Sequence, residues 1–149
     1  MHRCYSLRPI VVMLVATGLL TVTTRASANE RPHKSGGTAQ FVSPTDFVGS
    51  GQATHLGRYT EVGSAQFSPT TVPGVLQIDA WSVYTAANGD QLYATFTGQL
   101  DLLTGAITAT VTYVGGTGRF EDAGGSAELS GQMLPDGTIT VSVRGTIDY

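Results

Sequence analysis

The feature that most narrows what this chain can become is the strict alternation of its last stretch, where Ile139, Val141, Val143, Gly145, Ile147 and Tyr149 take every second place. Thr138, Thr140, Ser142, Arg144, Thr146 and Asp148 fill the places between. A period of two sends successive side chains to opposite faces of an extended strand, so one face is core and the other meets water. The stretch before it repeats the pattern, with Ala123, Gly125, Ala127, Leu129, Gly131 and Met133 set against Ser126, Glu128, Ser130 and Gln132. Ile107, Ala109, Val111 and Tyr113 alternate with threonines, as do Leu92, Ala94 and Phe96 with Tyr93, Thr95 and Thr97. Between these runs stand Asn88-Gly89-Asp90, Thr104-Gly105, Gly115-Gly116-Thr117-Gly118 and Pro135-Asp136-Gly137, which accept a positive φ or preset a turn. No helical stripe competes with this pattern, and successive antiparallel hairpins are the economical topology.

The segment from Val75 to Ala86 differs. Leu76, Ile78, Ala80 and Tyr84 make a core face, but Val75, Trp81 and Val83 leave the opposite face partly apolar. Such a face calls for a cover, either a loop of the same chain or another subunit. Adding Ala39–Ser43, Ala53–Gly63 and Ala65–Ser68 brings the expected total to seven or eight strands. That number suits a closed barrel, which has no free edge, better than a sandwich. Inward glycines at Gly98, Gly125, Gly131 and Gly145 point the same way, because strong coiling needs positions without a Cβ.

The N-terminus reads as an export leader. Arg3 and Arg8 precede an apolar run of 14 residues from Pro9 to Val22, too short to span a bilayer comfortably, and Ala26-Ser27-Ala28 follows with small residues where signal peptidase requires them. The expectation is a Sec-type signal peptide over 1–28, cleaved after Ala28, and a secreted or periplasmic product; an uncleaved anchor is the competing reading. Asn29 to Gly37, NERPHKSGG, reads as a flexible tether, and 38–149 as the barrel domain. Cys4 is the only cysteine and precedes the apolar run, so the processed chain is expected to have no disulfide, thiolate nucleophile or cysteine metal ligand.

Without the leader, five basic residues (Arg31, Lys34, Arg58, Arg119, Arg144) face eleven acidic ones, a net charge of −6. Nucleic acid is therefore a poor partner, since phosphate binding needs clustered Lys and Arg. His33 lies in the expected tether without a companion at ligand spacing and reads as solvated; no metal and no cofactor are expected.

His55, Tyr59 and Glu61 are the one His-carboxylate grouping after the leader with strand spacing. On one face of a strand they would supply an acid, a base and a hydrogen-bond donor, and they are the catalytic candidates. Leu56 and Val62 leave open which face is inward, and a solvated exterior trio is the plainer reading. Asp79 reads as a surface carboxylate. Arg119, Glu121 and Asp122 read as solvated loop charges, and the lone GGTG lacks the helix and Lys that would make it a phosphate cradle.

Gly115-Gly116-Thr117-Gly118-Arg119-Phe120, followed by Ala123 and Gly124, resembles the GGTGxFxxAxG turn of the allene oxide cyclase and dirigent barrel superfamily, especially its bacterial secreted barrel-like members. Ala53 to Thr60 (ATHLGRYT), Ala87 to Tyr93 (ANGDQLY) and the closing GTIDY from Gly145 are similar to the same members, so the resemblance runs from position 38 onward. It implies an eight-stranded antiparallel barrel of calycin-like build, often a homotrimer in the plant relatives, with an apolar cavity for a small lipophilic molecule. Plant members steer cyclisation of an unstable epoxide, with help from a carboxylate and a bound water, or steer the coupling of phenolic radicals. Their functional residues find no matched position here, and the cavity cysteine of the cyclases has no counterpart after the leader.

Three readings follow. The first is a non-catalytic binding barrel in which Leu76, Ile78, Tyr84, Phe96, Val111, Tyr113, Leu129, Met133 and Val141 line a cavity for a small apolar or aromatic ligand. The second is a cyclase or isomerase-like enzyme, which demands an inward ionisable group. The third is a structural or interaction module of the cell envelope, a filled barrel with Trp81 and Val83 at a subunit contact; eight strands sit near the size at which side chains alone close the lumen.

Overall fold

The computed structural model describes residues 30–149. The expected leader, its expected cleavage site and Cys4 lie outside the described residues. Eight strands follow one another: β1 Arg31–Phe41, β2 Asp46–Ala53, β3 Gly57–Pro69, β4 Val75–Ala86, β5 Gln91–Asp101, β6 Ala106–Gly116, β7 Gly124–Met133 and β8 Ile139–Asp148. Each pairs antiparallel with the next, and β8 pairs with β1 from Arg31↔Ile147 to Ala39↔Ile139, closing an up-and-down barrel. The one helical element among the described residues is a single 3-10 turn, Gly118–Phe120.

The alternation sorts the side chains as the sequence suggests. Outside, threonines face one another across β5 and β6 at Thr95↔Thr112 and Thr97↔Thr110, and Arg144 stands between Lys34 and Glu128. The threonine pairs and the Arg144–Glu128 pair support the sheet without burying it, whereas Lys34 opposite Arg144 sets two like charges side by side. Inside, Leu92, Val111, Ile147 and their neighbours form one contiguous core. Val48, Val62, Val83 and Tyr93 lie side by side across β2 to β5 on the outer wall, with Trp81 close by and 53% exposed.

Three expectations are corrected. The presumed tether is the first half of β1: residues 31 to 37 pair with β8, and Ser35 to Gly37 with β2 as well. His33, expected to be solvated, is 3% exposed inside the barrel. Ala53–Gly63 is not one strand: the chain turns at Thr54 to Leu56 and returns as β3, which absorbs the separately expected Ala65–Ser68 and leaves β2 as a strand the alternation had not revealed.

Two devices shape the wall. At the β5–β6 pairing the register passes from Leu92↔Gly116 to Ala94↔Tyr113, so β6 carries one extra residue, and Gly115 takes it up at φ +102°. This bulge starts the GGTG stretch and bends β6 over the end of the barrel. On β2 the inward positions run Phe47, Gly49, Gly51 and Ala53; a Cβ at Gly51 would collide with the Gly36 carbonyl and the Tyr59 hydroxyl. The thin inner face of β2 is what lets Tyr59 and Glu61 turn into the lumen.

Candidate functional site

The interior is layered along the barrel axis, and the two ends differ. At one end the loops β2–β3, β4–β5 and β6–β7 close the lumen. Phe120 from the 3-10 turn is 0% exposed and sits 5.0 Å, centroid to centroid, from Tyr149. Beneath it His33 lies edge-on to Tyr113 at 5.2 Å and stacks on His55 at 5.8 Å. The Pro32 carbonyl can only accept, so the 2.9 Å contact makes His55 Nε2 the donor, and His55 Nδ1 then accepts from the Tyr149 hydroxyl at 3.2 Å. The Arg31 guanidinium lies 4.6 Å from the Tyr149 ring centre. Burial, helped by the neighbouring His55, holds the His33 pKa down at about 4. Its Nδ1 has no hydrogen-bond partner among the described residues, as suits a neutral imidazole packed as an apolar ring.

At mid-height the polar groups gather. The Ser35 and Tyr59 hydroxyls are 3.1 Å apart, and the Tyr59 and Tyr84 rings meet edge-on at 5.2 Å. Glu61, on β3 opposite Tyr84 on β4, is 7% exposed. Burial pushes its carboxyl above the usual range, while the nearby Ser82 and Tyr84 hydroxyls pull it part of the way back. Ser82 Oγ meets no group with full hydrogen-bond geometry, so it remains a buried hydroxyl with capacity to spare. Burial likewise raises Tyr59, Tyr84 and Tyr113, keeping all three phenols neutral.

Beyond Glu61 the lumen is apolar and opens. A cavity of about 90 Å³ is lined by Ala39, Ala65, Ile78, Ala80, Phe96, Ala109, Leu129 and Val141, with Glu61 and Tyr84 in its wall. Phe41, Phe47 and Phe67 form its rim, Phe41 lying 5.8 Å from each of the other two. Alanines where a barrel of this size would carry larger side chains are what leave the space. The chemistry on offer is an apolar recess with one carboxyl group and one phenol in its wall.

The catalytic candidates separate. Tyr59 and Glu61 point inward and are buried, whereas His55 sits in the β2–β3 turn and belongs to the closed end. Leu56 misled because it lies in that turn, off the strand; Val62, the other residue that blurred the face, is 52% exposed and points outward. Of the nine expected cavity residues, Ile78, Tyr84, Phe96, Leu129, Met133 and Val141 line the mouth cavity. Leu76 is half-buried near the lip, and Val111 and Tyr113 are packed deeper in the core. The three rim phenylalanines were missed, although Phe67 continues the inward series of Tyr59, Glu61, Gly63 and Ala65. Asp79 is exposed and accepts from Thr97 Oγ1 at 3.4 Å, and Arg119 pairs with Asp90 at 3.5 Å across the closed end.

Among the described residues no group of three His, Cys, Asp or Glu side chains is placed to hold a metal ion, and no helix is long and apolar enough to cross a membrane. Set against family models, curated proteins and solved structures, the chain has no match in any of the three.

Proposed function

We propose that the domain is a non-catalytic binding barrel that takes a small apolar or aromatic molecule, or the apolar head of a longer one, into its open end outside the cytoplasm. The observation that carries this reading is the asymmetry of the lumen, closed by Phe120 at one end and empty behind an aromatic rim at the other. A recess of about 90 Å³ is smaller than a drug-sized pocket, so the ligand's head is small and its remainder lies among the rim rings. Burying roughly 200 Å² of apolar ligand surface contributes about 5 kcal/mol, equivalent to about 0.2 mM before the costs of association, so tighter binding has to come from the ligand's remainder against the rim rings.

Native mass spectrometry of the protein from its own source, before and after organic extraction, tests the reading. A reproducible adduct lost on extraction is the expected result. No adduct, together with no binding of a hydrophobic dye, would leave the filled scaffold of the cell envelope as the better account.

Glu61 favours a second reading. A cyclase or isomerase-like enzyme needs an inward ionisable group, and this buried carboxyl in the cavity wall is one. Glu61→Gln separates the two: a binder keeps its ligand, whereas an enzyme keeps its ligand and loses turnover. A homo-oligomer, three-fold by the resemblance, would use the outer stripe of Val48, Val62 and Val83 beside Trp81; sedimentation velocity with Trp81→Glu tests it.

A further inference from the structure

We propose that the mouth end of the barrel docks on the surface of an uncharged lipid bilayer, its four loops setting aliphatic side chains into the interface. The proposal rests on the mouth cavity being a binding site and adds the source of its ligand. The β1–β2 loop exposes Val42 (65%), the β3–β4 loop Val72 (56%), the β5–β6 turn Leu102 (57%) and Leu103 (90%), and the β7–β8 turn Leu134 (38%). Every connection at the mouth carries at least one such residue. At the closed end the large apolar loop residues, Leu56 and Phe120, are buried at 4% and 0%. The aliphatic crown therefore surrounds the opening of the cavity and nothing else.

These side chains are held on shaped turns. Asp101 Oδ1 accepts from the backbone N–H of Leu103 at 2.8 Å and of Thr104 at 3.0 Å, fixing the turn that displays the most exposed leucine. The Leu102 N–H donates to the Gly74 carbonyl at 2.8 Å, tying two loops together. Pro44, Pro73 and Pro135 stiffen the remaining connections. Little ordering is left to do on contact.

Charge selects the occupant. Arg31, Lys34, Arg58, Arg119 and Arg144 all lie in the closed half, and no Lys or Arg stands in a mouth loop. Asp46, Asp101 and Asp136 stand in or beside those loops, so an anionic surface is repelled. A second copy placed mouth to mouth would oppose the same carboxylates. Aliphatic points spread over four loops around an opening suit a fluid interface better than one rigid partner surface, and an apolar ligand then passes from bilayer to cavity without crossing water.

The test is flotation with vesicles of phosphatidylcholine alone and with added phosphatidylglycerol, comparing the parent chain with Leu103→Asp and with Leu103→Asp combined with Val72→Asp. Parent and variants share the same N-terminus, so any contribution of an apolar leader cancels. The parent is expected to float with the neutral vesicles and less with the anionic ones, and each substitution to lower the partition coefficient roughly tenfold. Both sites are exposed, and an unchanged far-UV circular dichroism spectrum verifies folding. A parent that stays with the lipid-free fraction, variants that float as well as it does, or a lipid-free dimer that Leu103→Asp dissolves would each overturn the proposal. Hydrophobic-dye binding without flotation overturns the docking alone; flotation without dye binding upholds it and overturns the cavity reading instead.

Discussion

At the closed end of the barrel Phe120 and Ile147 have no exposed surface, and His33, Tyr113 and Tyr149 fill the space beside them. At the mouth Phe41 packs against both Phe47 and Phe67, yet all three stay partly open around a recess walled by alanines. The same sheet thus packs densely over half its height and stops short of doing so over the other half. Buried aromatic surface is concentrated at the closed end, and the mouth is left open as the proposed ligand site.

The sharpest way to break this comparison is to truncate one aromatic at each end. Phe120→Ala is expected to cost about 3–5 kcal/mol in urea unfolding, and Phe67→Ala about 1 kcal/mol, because the rim ring gives up little buried surface. Equal losses would mean that the mouth is core like the rest.

Acid acts next. His33 titrates near 6.5 when unfolded and at about 4 when folded, so its contribution is complete above pH 6.5 and is lost as pH falls towards 4, by on the order of 3 kcal/mol. His33→Gln should flatten the stability profile over that window. Glu61 has the opposite sign: the unfolded carboxyl loses its proton near 4.5 while the folded one holds on longer, so stability falls as pH rises through that interval. Glu61→Gln is expected to raise stability at neutral pH and to change little at pH 4, as read from denaturation midpoints.

Filling the recess sharpens the comparison from the other side. Ala80→Phe, at the cavity wall, should weaken hydrophobic-dye binding tenfold or more in a fluorescence titration while moving the thermal midpoint by only a few degrees. A substitution of that size at the closed end, such as Ala123→Phe beside Phe120, has no space to enter and should unfold the domain.

How much of this was legible depended on what faces inward. The strands from β5 to β8 could be read directly, since β5, β6 and β8 set Leu, Ile, Val and Phe inside against outer threonines, and β7 sets Ala127, Leu129 and Met133 inside against Ser126, Glu128, Ser130 and Gln132. β1 and β2 could not, because their inner positions are filled by His33, Ser35, Gly37, Gly49 and Gly51, residues that look like linker until the partners across the lumen are known. Those partners are Tyr59 and Glu61, and a small inner face on one strand is the complement of a large one on the next. The candidate site was legible to the same degree: Glu61 could be named, but its orientation depended on a strand that the alternation did not disclose. His55 was grouped with it by spacing alone, and spacing does not show a turn.

The pairing of β1 with β8 also has a consequence in time. Residues 31 to 39 find their partners only after residues 139 to 147 have been made, so the seam that closes the barrel joins the earliest and the latest parts of the domain. Loop-closure entropy is highest for such a contact, and until it forms β1 and the growing sheet each carry an unpaired edge. The rate at which the chain becomes safe from aggregation is therefore set by the arrival of its final strand, whatever the stability of the finished barrel.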